Sequence, residues 1–272
     1  MGERMLKKFF ASFAFVRGGR RILLRLREKW SRTRQFRKPS LLSKIPRYLN
    51  GYRVFLNLGG KIDAIYPIIS DFNQNAGVQS GHYFHQDLLV AQLIYEAKPN
   101  RHIDVGSRID GFVAHVASFR KIEVLDIRSL PQSIHSNISF YQADLMDDVE
   151  ESITDSVSCL HALEHFGLGR YNDKIDPEGH IKGLQNLIKM LKPGGNLYLS
   201  FPIGTSDQVF FNAHRIFNPK TVLAWASAEL TLERFDYVDD TGHLFLNIDL
   251  KDLSVEMQYG CGIYTFKKVN NP

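Results

Sequence analysis

The pattern of apolar and polar positions changes at about residue 100. From Asn100 onward, short apolar runs alternate with segments in which apolar residues recur every three or four positions, which predicts strands alternating with helices. Such alternation is typical of a mostly parallel sheet with helices packed on both faces. The pattern therefore predicts an α/β fold built on a doubly wound sheet.

The apolar runs predict seven strands and three helices in this region. The clearest helix runs from Gly179 to Leu191, with apolar residues on one face, and the following Pro193-Gly194-Gly195 ends it. The other predicted helices cover 111–119 and 219–228. The predicted strands cover 102–106, 122–127, 138–142, 155–161, 196–201, 230–238 and 262–267.

The first 53 of the 272 residues differ from the rest in charge. They contain sixteen Lys or Arg and two Asp or Glu, a net charge of +14, whereas the remaining residues contain 18 basic and 27 acidic side chains, a net charge of −9. We therefore predict two domains, a basic leader over residues 1–53 and the α/β domain over residues 54–272.

Within the leader, Ile22, Leu26 and Trp30 recur at four-residue spacing among basic residues, which predicts a basic amphipathic helix. Each Lys or Arg near an anionic leaflet contributes about 1 kcal/mol of attraction, so residues 1–53 could bind an anionic membrane surface. A helix packed on the body is the alternative, and a nucleic-acid-binding arm is the least favoured. The longest apolar run, Phe9 to Val16, is shorter than the roughly 20 residues that span a bilayer.

Cysteine usage and the start of the chain bear on localisation. Cys159 and Cys261 lie far apart in apolar runs, as expected for buried thiols in a reducing compartment. No small-residue cleavage site follows the run Phe9 to Val16, which argues against export. We expect a cytoplasmic protein that the leader can bring to the inner face of a membrane.

Residues with binding chemistry follow the ends of the predicted strands, where doubly wound sheets bind their ligands. In the turn after the first strand, Gly106 and Gly111 allow the backbone to approach a ligand closely. Asp126 follows the second strand, where a carboxylate can accept hydrogen bonds from both ribose hydroxyls. Asp144 follows the third strand and could accept from an adenine amino group. Either aspartate could instead cap the following helix.

With the run Leu191-Lys192-Pro193-Gly194-Gly195-Asn196-Leu197 before the fifth strand, these residues resemble a class I S-adenosylmethionine-dependent methyltransferase over residues 80–268. The resemblance implies a Rossmann-like fold and S-adenosylmethionine as cofactor. Asp104 would orient the first loop or contact the cofactor's amino group. The implied cofactor-binding residues are Asp104, Gly106, Gly111, Asp126 and Asp144.

Two further stretches resemble a narrower, uncharacterised methyltransferase-like family that includes proteins from bacterial surface-polysaccharide gene clusters. They are Gly81-His82-Tyr83-Phe84-His85-Gln86-Asp87 and His161-Ala162-Leu163-Glu164-His165-Phe166-Gly167. This resemblance implies O-methylation of a saccharide or glycolipid intermediate in cell-surface polysaccharide synthesis. The alternatives are a small-molecule methyltransferase outside envelope synthesis and a non-catalytic scaffold that docks at a membrane or polysaccharide-synthesis complex.

The first loop departs from the family pattern, because Arg108 and Asp110 stand where glycines are usual. Their side chains must point away from the cofactor if the pocket is retained. The spacing G-x-G-x-x-G is absent, which disfavours a nicotinamide dinucleotide as the ligand.

Three candidate catalytic residues, His161, Glu164 and His165, follow the fourth strand. Methyl transfer to a hydroxyl requires removal of its proton, and a histidine with a pKa near 6.5 is suited to that role. We predict His165 as the base and Glu164 as a residue that orients it or binds substrate. Either histidine could instead be a packed structural residue.

The same residues resemble a run that binds a divalent metal in some class I O-methyltransferases, with His214 as the downstream ligand. A metal there would bind acceptor hydroxyls and lower their pKa. Because His161 replaces an acid, a mixed nitrogen and oxygen site would suit manganese, iron or zinc. The polar residues 212–215 lie among phenylalanines, which fits either a sugar-binding wall or packing.

Overall fold

The computed structural model describes residues 41–226, 229–251, 253 and 256–270. The chain divides into two compact units, with the boundary between Val78 and Gln79. The predicted leader helix around Leu26 lies outside the described residues. The domain boundary at residue 53 and the membrane-binding role of the leader therefore stay predictions.

The described part of the first unit contains a single α-helix, α1 (Ile45–Asn57), after a 3₁₀ turn at Leu41–Lys44. Pro46 lies in its first turn, where a missing backbone N–H costs nothing. No residue of α1 is buried. Across all the described residues, no helix combines the length and the apolar character required to cross a membrane.

The second unit contains a large sheet flanked by helices. The helices are α2 (His82–Ala97), α3 (Ala114–Ala117), α4 (Gly179–Met190) and α5 (Pro219–Ala226). The strands are β1 (His102–Val105), β2 (Ile122–Asp126), β3 (Ile138–Gln142), β4 (Thr154–Leu160), β5 (Leu191–Ile203), β6 (Gln208–Phe210), β7 (His214–Ile216), β8 (Leu230–Val238), β9 (Leu244–Phe245) and β10 (Gly260–Lys268).

The strand order of the main sheet is β3-β2-β1-β4-β5-β10-β8-β9, and β6 pairs with β7 in a separate ribbon. The strands β1 to β5 are parallel, whereas β10 runs antiparallel to both β5 and β8. The predicted Rossmann-like, doubly wound and mostly parallel sheet is confirmed. The sheet has eight strands and not seven, because the two-residue strand β9 is too short to produce an alternating pattern.

Each face of the sheet is covered by its own apolar cluster. Along β5, Leu197 and Leu199 belong to one cluster with Leu184 and Leu187 of α4, whereas Tyr198 belongs to the other. That second cluster contains Val90 and Ile94 of α2. Burial of each such side chain contributes about 1.5–3 kcal/mol, so the clusters hold the helices against the sheet. The carboxyl ends of the strands are therefore fixed relative to one another.

Two predicted helix boundaries differ from those in the structure. Helix α4 ends at Met190, and β5 begins at Leu191 with a register shift against β4 where Gly194 has a φ of +75°. The predicted helix over 111–119 begins instead as a π turn at Ile109–Val113, followed by α3. Gly111 interrupts that turn with φ −122° and ψ −107°, a conformation outside the helical region.

Candidate active site

A pocket opens at the carboxyl ends of four adjacent strands. Gly106 follows β1, Asp126 ends β2, Asp144 follows β3, and His161 follows β4, and all four line this first pocket. Apolar side chains complete the wall, among them Leu125, Leu145 and Met146. The structure therefore brings together the glycine and the two aspartates that the sequence analysis placed at one ligand.

Gly106 meets a conformational and a steric requirement. Its φ of +71° lies in the left-handed region, and its N–H donates to the Leu125 carbonyl oxygen at 2.9 Å. A Cβ atom built on Gly106 would lie 2.8 Å from the Cβ of Ala162, which also lines the first pocket. Only glycine satisfies both conditions without displacement of the β4 end.

Asp104 and Gly111 lie away from the wall of the first pocket. Asp104 is fully buried, and its Oδ1 accepts from the hydroxyls of Ser107 and Ser158, each at 2.6 Å. A Cβ on Gly111 would lie 2.6 Å from Asp87 Oδ2. Neither residue lines the first pocket, and the cofactor-binding roles that the resemblance implied for them stay predictions. Asp104 orients the first loop, and Gly111 allows that loop to pass close to Asp87.

Burial raises the pKa of Asp104 to about 7, although three hydrogen bonds oppose the shift. The contribution of its protonated form to stability is complete below pH 3.8 and is lost as the pH rises through 7. We therefore expect the advantage in unfolding free energy of the wild type over Asp104→Asn to shrink by on the order of 2 kcal/mol between pH 5 and 7. Denaturant unfolding at each pH measures it.

Asp110→Asn is the control for this experiment, because Asp110 is exposed and Arg108 lowers the pKa of its carboxyl further below this pH range. The difference between that variant and the wild type should stay constant from pH 5 to 7. A constant difference for Asp104→Asn as well would contradict the assigned role of Asp104.

Asp126 is engaged by a neighbouring arginine. Arg128 Nη2 lies 2.5 Å from Asp126 Oδ2, and Arg128 Nε donates to Oδ1 at 2.9 Å. The backbone N–H of Arg128 also donates to Oδ1, at 2.8 Å. The guanidinium lies over the Tyr171 ring, 4.6 Å from its centroid. Both carboxylate oxygens therefore already accept hydrogen bonds from Arg128, and a ribose would compete with Arg128 for these acceptors.

The side chains that depart from the family pattern lie outside the first pocket. Arg108 Nη2 contacts Asp110 Oδ2 at 2.9 Å, and its guanidinium lies 5.2 Å from the Tyr83 ring centroid. More than half of each of the two paired side chains is exposed. The loop therefore retains its pocket despite Arg108 and Asp110.

Asp144 is held by a hydrogen bond within its own loop. Its Oδ1 accepts from the Met146 N–H at 2.9 Å, which closes a turn after β3 and caps no helix. The side chain is only partly buried and lines the first pocket. It is thus held in place by its own loop and still faces the site.

His161 and Glu164 form a buried pair. His161 has a φ of +50°, and its Nδ1 lies 2.9 Å from Glu164 Oε1. Burial opposes charge on both groups. The proximity of Cys261 and Glu164 nevertheless raises the pKa of His161 well above its ordinary value, and His161 lowers that of Glu164. Glu164 Oε2 and His161 Nε2 have no hydrogen-bond partner within the described part of the chain.

His165 is oriented for proton transfer. Its Nδ1 lies 2.7 Å from the Ala213 carbonyl oxygen, which can only accept, so Nδ1 carries the proton and Nε2 carries the lone pair, with Arg170 Nη1 3.5 Å from Nε2. Burial lowers the pKa of His165, with the Glu164 carboxylate opposing the shift. Nε2 lies 3.7 Å from Glu164 Oε1. His165 is thus held as a neutral imidazole.

A second cavity adjoins the first pocket. It is more polar, and its wall includes Glu164, Arg108, Arg170, Asn212, Ala213, His214, Tyr83 and Tyr259. Five residues line both spaces: Gly106, Arg128, His161, His165 and Tyr171. The candidate base His165 therefore lies where the contents of the two spaces would meet.

The predicted metal ligands His161, Glu164, His165 and His214 do not gather around one point. His161 and Glu164 bind each other, and His165 Nδ1 binds Ala213. Among the described residues, the group with donor atoms close enough for an ion is His82, His161 and Cys261, all within 4.8 Å. The rings of His82 and His161 stack at an interplanar angle of 8°, so one ion cannot lie in both ring planes.

The phenylalanines near the polar run 212–215 differ in burial, which bears on whether they pack in the core or could form a sugar-binding wall. Phe217 is buried in the main core, whereas Phe210 and Phe211 are exposed. Packing therefore accounts for Phe217. Asn212, Ala213 and His214 contribute to the wall of the second cavity.

Several site residues were missed by the sequence analysis. Arg128 could have been noticed, because it lies two residues after Asp126 and a side chain at that spacing can fold back. Arg170 and Tyr171 carry no comparable signal, and the buried Arg215 was noted only as part of the polar run 212–215. Arg215 donates to the carbonyl oxygens of Phe166 and Pro177 at 2.6 and 3.1 Å, which ties the loop after β4 to β7.

Comparison with known families gives one partial match. Residues 117–241 match the family model described as "Caenorhabditis protein of unknown function, DUF268". No curated protein matches the chain.

Solved structures share the fold at low sequence identity. The 1,6-didemethyltoxoflavin-N1-methyltransferase of Burkholderia thailandensis, solved with S-adenosylhomocysteine, has a TM-score of 0.50 and 13% identity over 78% of this chain and 95% of its own. The [4+2]-cyclase SpnF has a TM-score of 0.51 and 14% identity over 86% and 98%. The N-methyltransferase NodS from Bradyrhizobium japonicum WM9 has a TM-score of 0.48 and 16% identity over 69% and 88%.

The chain thus has the Rossmann-like fold of class I methyltransferases. This fold also supports other chemistry, because the [4+2]-cyclase SpnF shares it. The reaction must therefore be argued from the site.

Proposed function

We propose that the protein is an S-adenosylmethionine-dependent methyltransferase. The observation that carries the proposal is the convergence of Gly106, Asp126 and Asp144 on one pocket at the ends of neighbouring strands. Asp126 would accept from the ribose hydroxyls, and Asp144 would accept from the adenine amino group. Leu145 and Met146 offer apolar surface for the faces of the base.

When bound, S-adenosylmethionine supplies an electrophilic methyl group. The protein's own contribution is to position an acceptor and remove its proton. His165 Nε2 is the group proposed to take that proton, because Ala213 fixes the tautomer and burial keeps the ring neutral. Glu164 would stabilise the charge that forms on His165, since its Oε1 lies 3.7 Å away.

The proposed acceptor is a hydroxyl of a saccharide or glycolipid intermediate in cell-surface polysaccharide synthesis. Three tyrosine rings, those of Tyr83, Tyr171 and Tyr259, line the second cavity beside polar Asn212 and His214. Aromatic faces next to polar groups suit a sugar, which presents apolar C–H faces and hydroxyl edges. The proposed methylation would take place in the cytoplasm.

Calorimetric titration with S-adenosylhomocysteine tests the proposal. A methyltransferase should bind one equivalent, and mass spectrometry of surface glycans with and without the gene should reveal a missing methyl group of 14 Da. The second candidate function is a non-catalytic scaffold, which the closed pair of Asp126 and Arg128 favours. A scaffold should show no binding heat, and that result would exclude the methyltransferase.

The basic leader is proposed to hold the protein on an anionic membrane. The full chain should sediment with phosphatidylglycerol vesicles and not with phosphatidylcholine vesicles, because the attraction depends on lipid charge. Joint replacement of Arg21, Arg25, Arg27 and Lys29 by Gln should reduce the sedimented fraction severalfold. Equal sedimentation of that variant would leave the leader without this role.

A further inference from the structure

The second cavity has an excess of positive charge. Arg108, Arg128 and Arg170 line it, and the carboxylate on its wall, Glu164, is already paired with His161. Arg108 and Arg128 have acidic partners in Asp110 and Asp126. In the described part of the chain, no carboxylate lies within ion-pair distance of Arg170, whose Nη1 donates to the Ala213 carbonyl oxygen at 2.8 Å.

Arg128 and Arg170 flank one aromatic ring. Their guanidinium carbons lie 4.6 and 5.2 Å from the Tyr171 ring centroid. Planar guanidinium groups bind phosphate oxygens through paired N–H donors, and a diphosphate spans two of them. The ring thus holds two anion-binding groups at the boundary between the two cavities.

We propose that this cavity binds a phosphate or diphosphate group on the acceptor through Arg170 and Arg128, and that cofactor binding frees Arg128 for this role. The proposal rests on the proposed function. It narrows the acceptor to a phosphorylated saccharide, either water-soluble or linked to a lipid diphosphate.

The coupling follows from competition for one carboxylate. Arg128 occupies both oxygens of Asp126, and ribose hydroxyls require the same oxygens. Ribose hydroxyls that take up acceptor positions now held by Arg128 weaken its pairing with Asp126, while Arg128 still lies on the wall of the second cavity. An anion there compensates for the weakened pairing, so each ligand raises the affinity for the other.

Calorimetry with pyrophosphate as the probe tests this inference. We expect pyrophosphate to bind about tenfold more tightly when S-adenosylhomocysteine saturates the protein, within the usual range of coupling between sites. Arg128→Gln should bind S-adenosylhomocysteine more tightly than the wild type and should abolish the coupling. Arg170→Gln should weaken pyrophosphate binding at least tenfold, and Arg170→Lys should restore part of it.

Arg101→Gln is the matched control, because Arg101 also pairs with a carboxylate, Glu123, but lines neither cavity. It should change neither affinity. Glucose 1-phosphate and farnesyl diphosphate, titrated in parallel, distinguish a soluble from a lipid-linked acceptor. Binding of either ligand supports the inference if Arg170→Gln weakens that binding.

Two results separate this inference from the proposed function. If S-adenosylhomocysteine binds but leaves the pyrophosphate affinity unchanged, or if Arg170→Gln has no effect, the inference is overturned and the methyltransferase stands. If S-adenosylhomocysteine does not bind, the proposed function and the coupling both fail.

Discussion

Replacing Asp126 with Ala should weaken S-adenosylhomocysteine binding on the order of 100-fold. Hydrogen bonds to a charged group contribute about 1.5–3 kcal/mol each, and two ribose hydroxyls would lose this acceptor. The Arg128 pair that must open in the wild type offsets part of that gain, so the expected loss stays at the lower end. Isothermal calorimetry measures the two dissociation constants.

Glu123→Ala is the control for this variant. Glu123 lies on the same strand, pairs with Arg101 and lines neither cavity. The variant should bind with wild-type affinity, and thermal unfolding should report that both variants fold. An Asp126→Ala protein that folds and still binds as tightly as the wild type would show that Asp126 holds no ribose.

Gly106→Ala should abolish measurable cofactor binding and lower the unfolding free energy by about 2–5 kcal/mol. The left-handed backbone costs an alanine about 1–2 kcal/mol, and the collision with Ala162 adds an overpacking cost of about 1–3 kcal/mol. Because Ala162 lines the first pocket, its displacement would also move the wall. Denaturant unfolding and calorimetry test the two effects separately.

Two further variants isolate the collision. Gly81 has a φ of +93° but has no heavy atom within 4 Å of an added Cβ, so Gly81→Ala should cost only the backbone strain. The double variant Gly106→Ala with Ala162→Gly removes the contacted methyl group and should recover stability and binding in part. If the double variant recovers neither stability nor binding, the collision with Ala162 is not the cause of the loss.

Local pattern was sufficient to predict the sheet and the positions of its strand ends. Gly106, Asp126 and Asp144 follow buried strands in chain order, and parallel topology alone brings such positions to one edge. The prediction needed no knowledge of side-chain contacts. The same reasoning located His161 and His165 beside them.

The features of the site that the sequence did not predict depend on contacts between segments that are distant in the chain. Asp104 has the carboxylate of a ligand-binding residue, but it is buried, and its Oδ1 accepts hydrogen bonds from the hydroxyls of Ser107 and Ser158. Cys261 comes from β10 and lies close to His161, more than 90 residues earlier in the chain, which no spacing rule anticipates. The pairing of Arg128 with Asp126 depends on a rotamer, and sequence does not specify rotamers.

The wall shared by the two cavities has a practical consequence for testing the proposed acceptor. Arg128 belongs to both spaces, so a molecule that displaces it from Asp126 alters the receptor offered to a second molecule. Compound libraries screened against the ligand-free protein would therefore meet a different cavity surface from the one that the cofactor-bound protein presents. Screens are better run with S-adenosylhomocysteine present, because even a weakly bound compound would then report on the surface that the proposed acceptor meets.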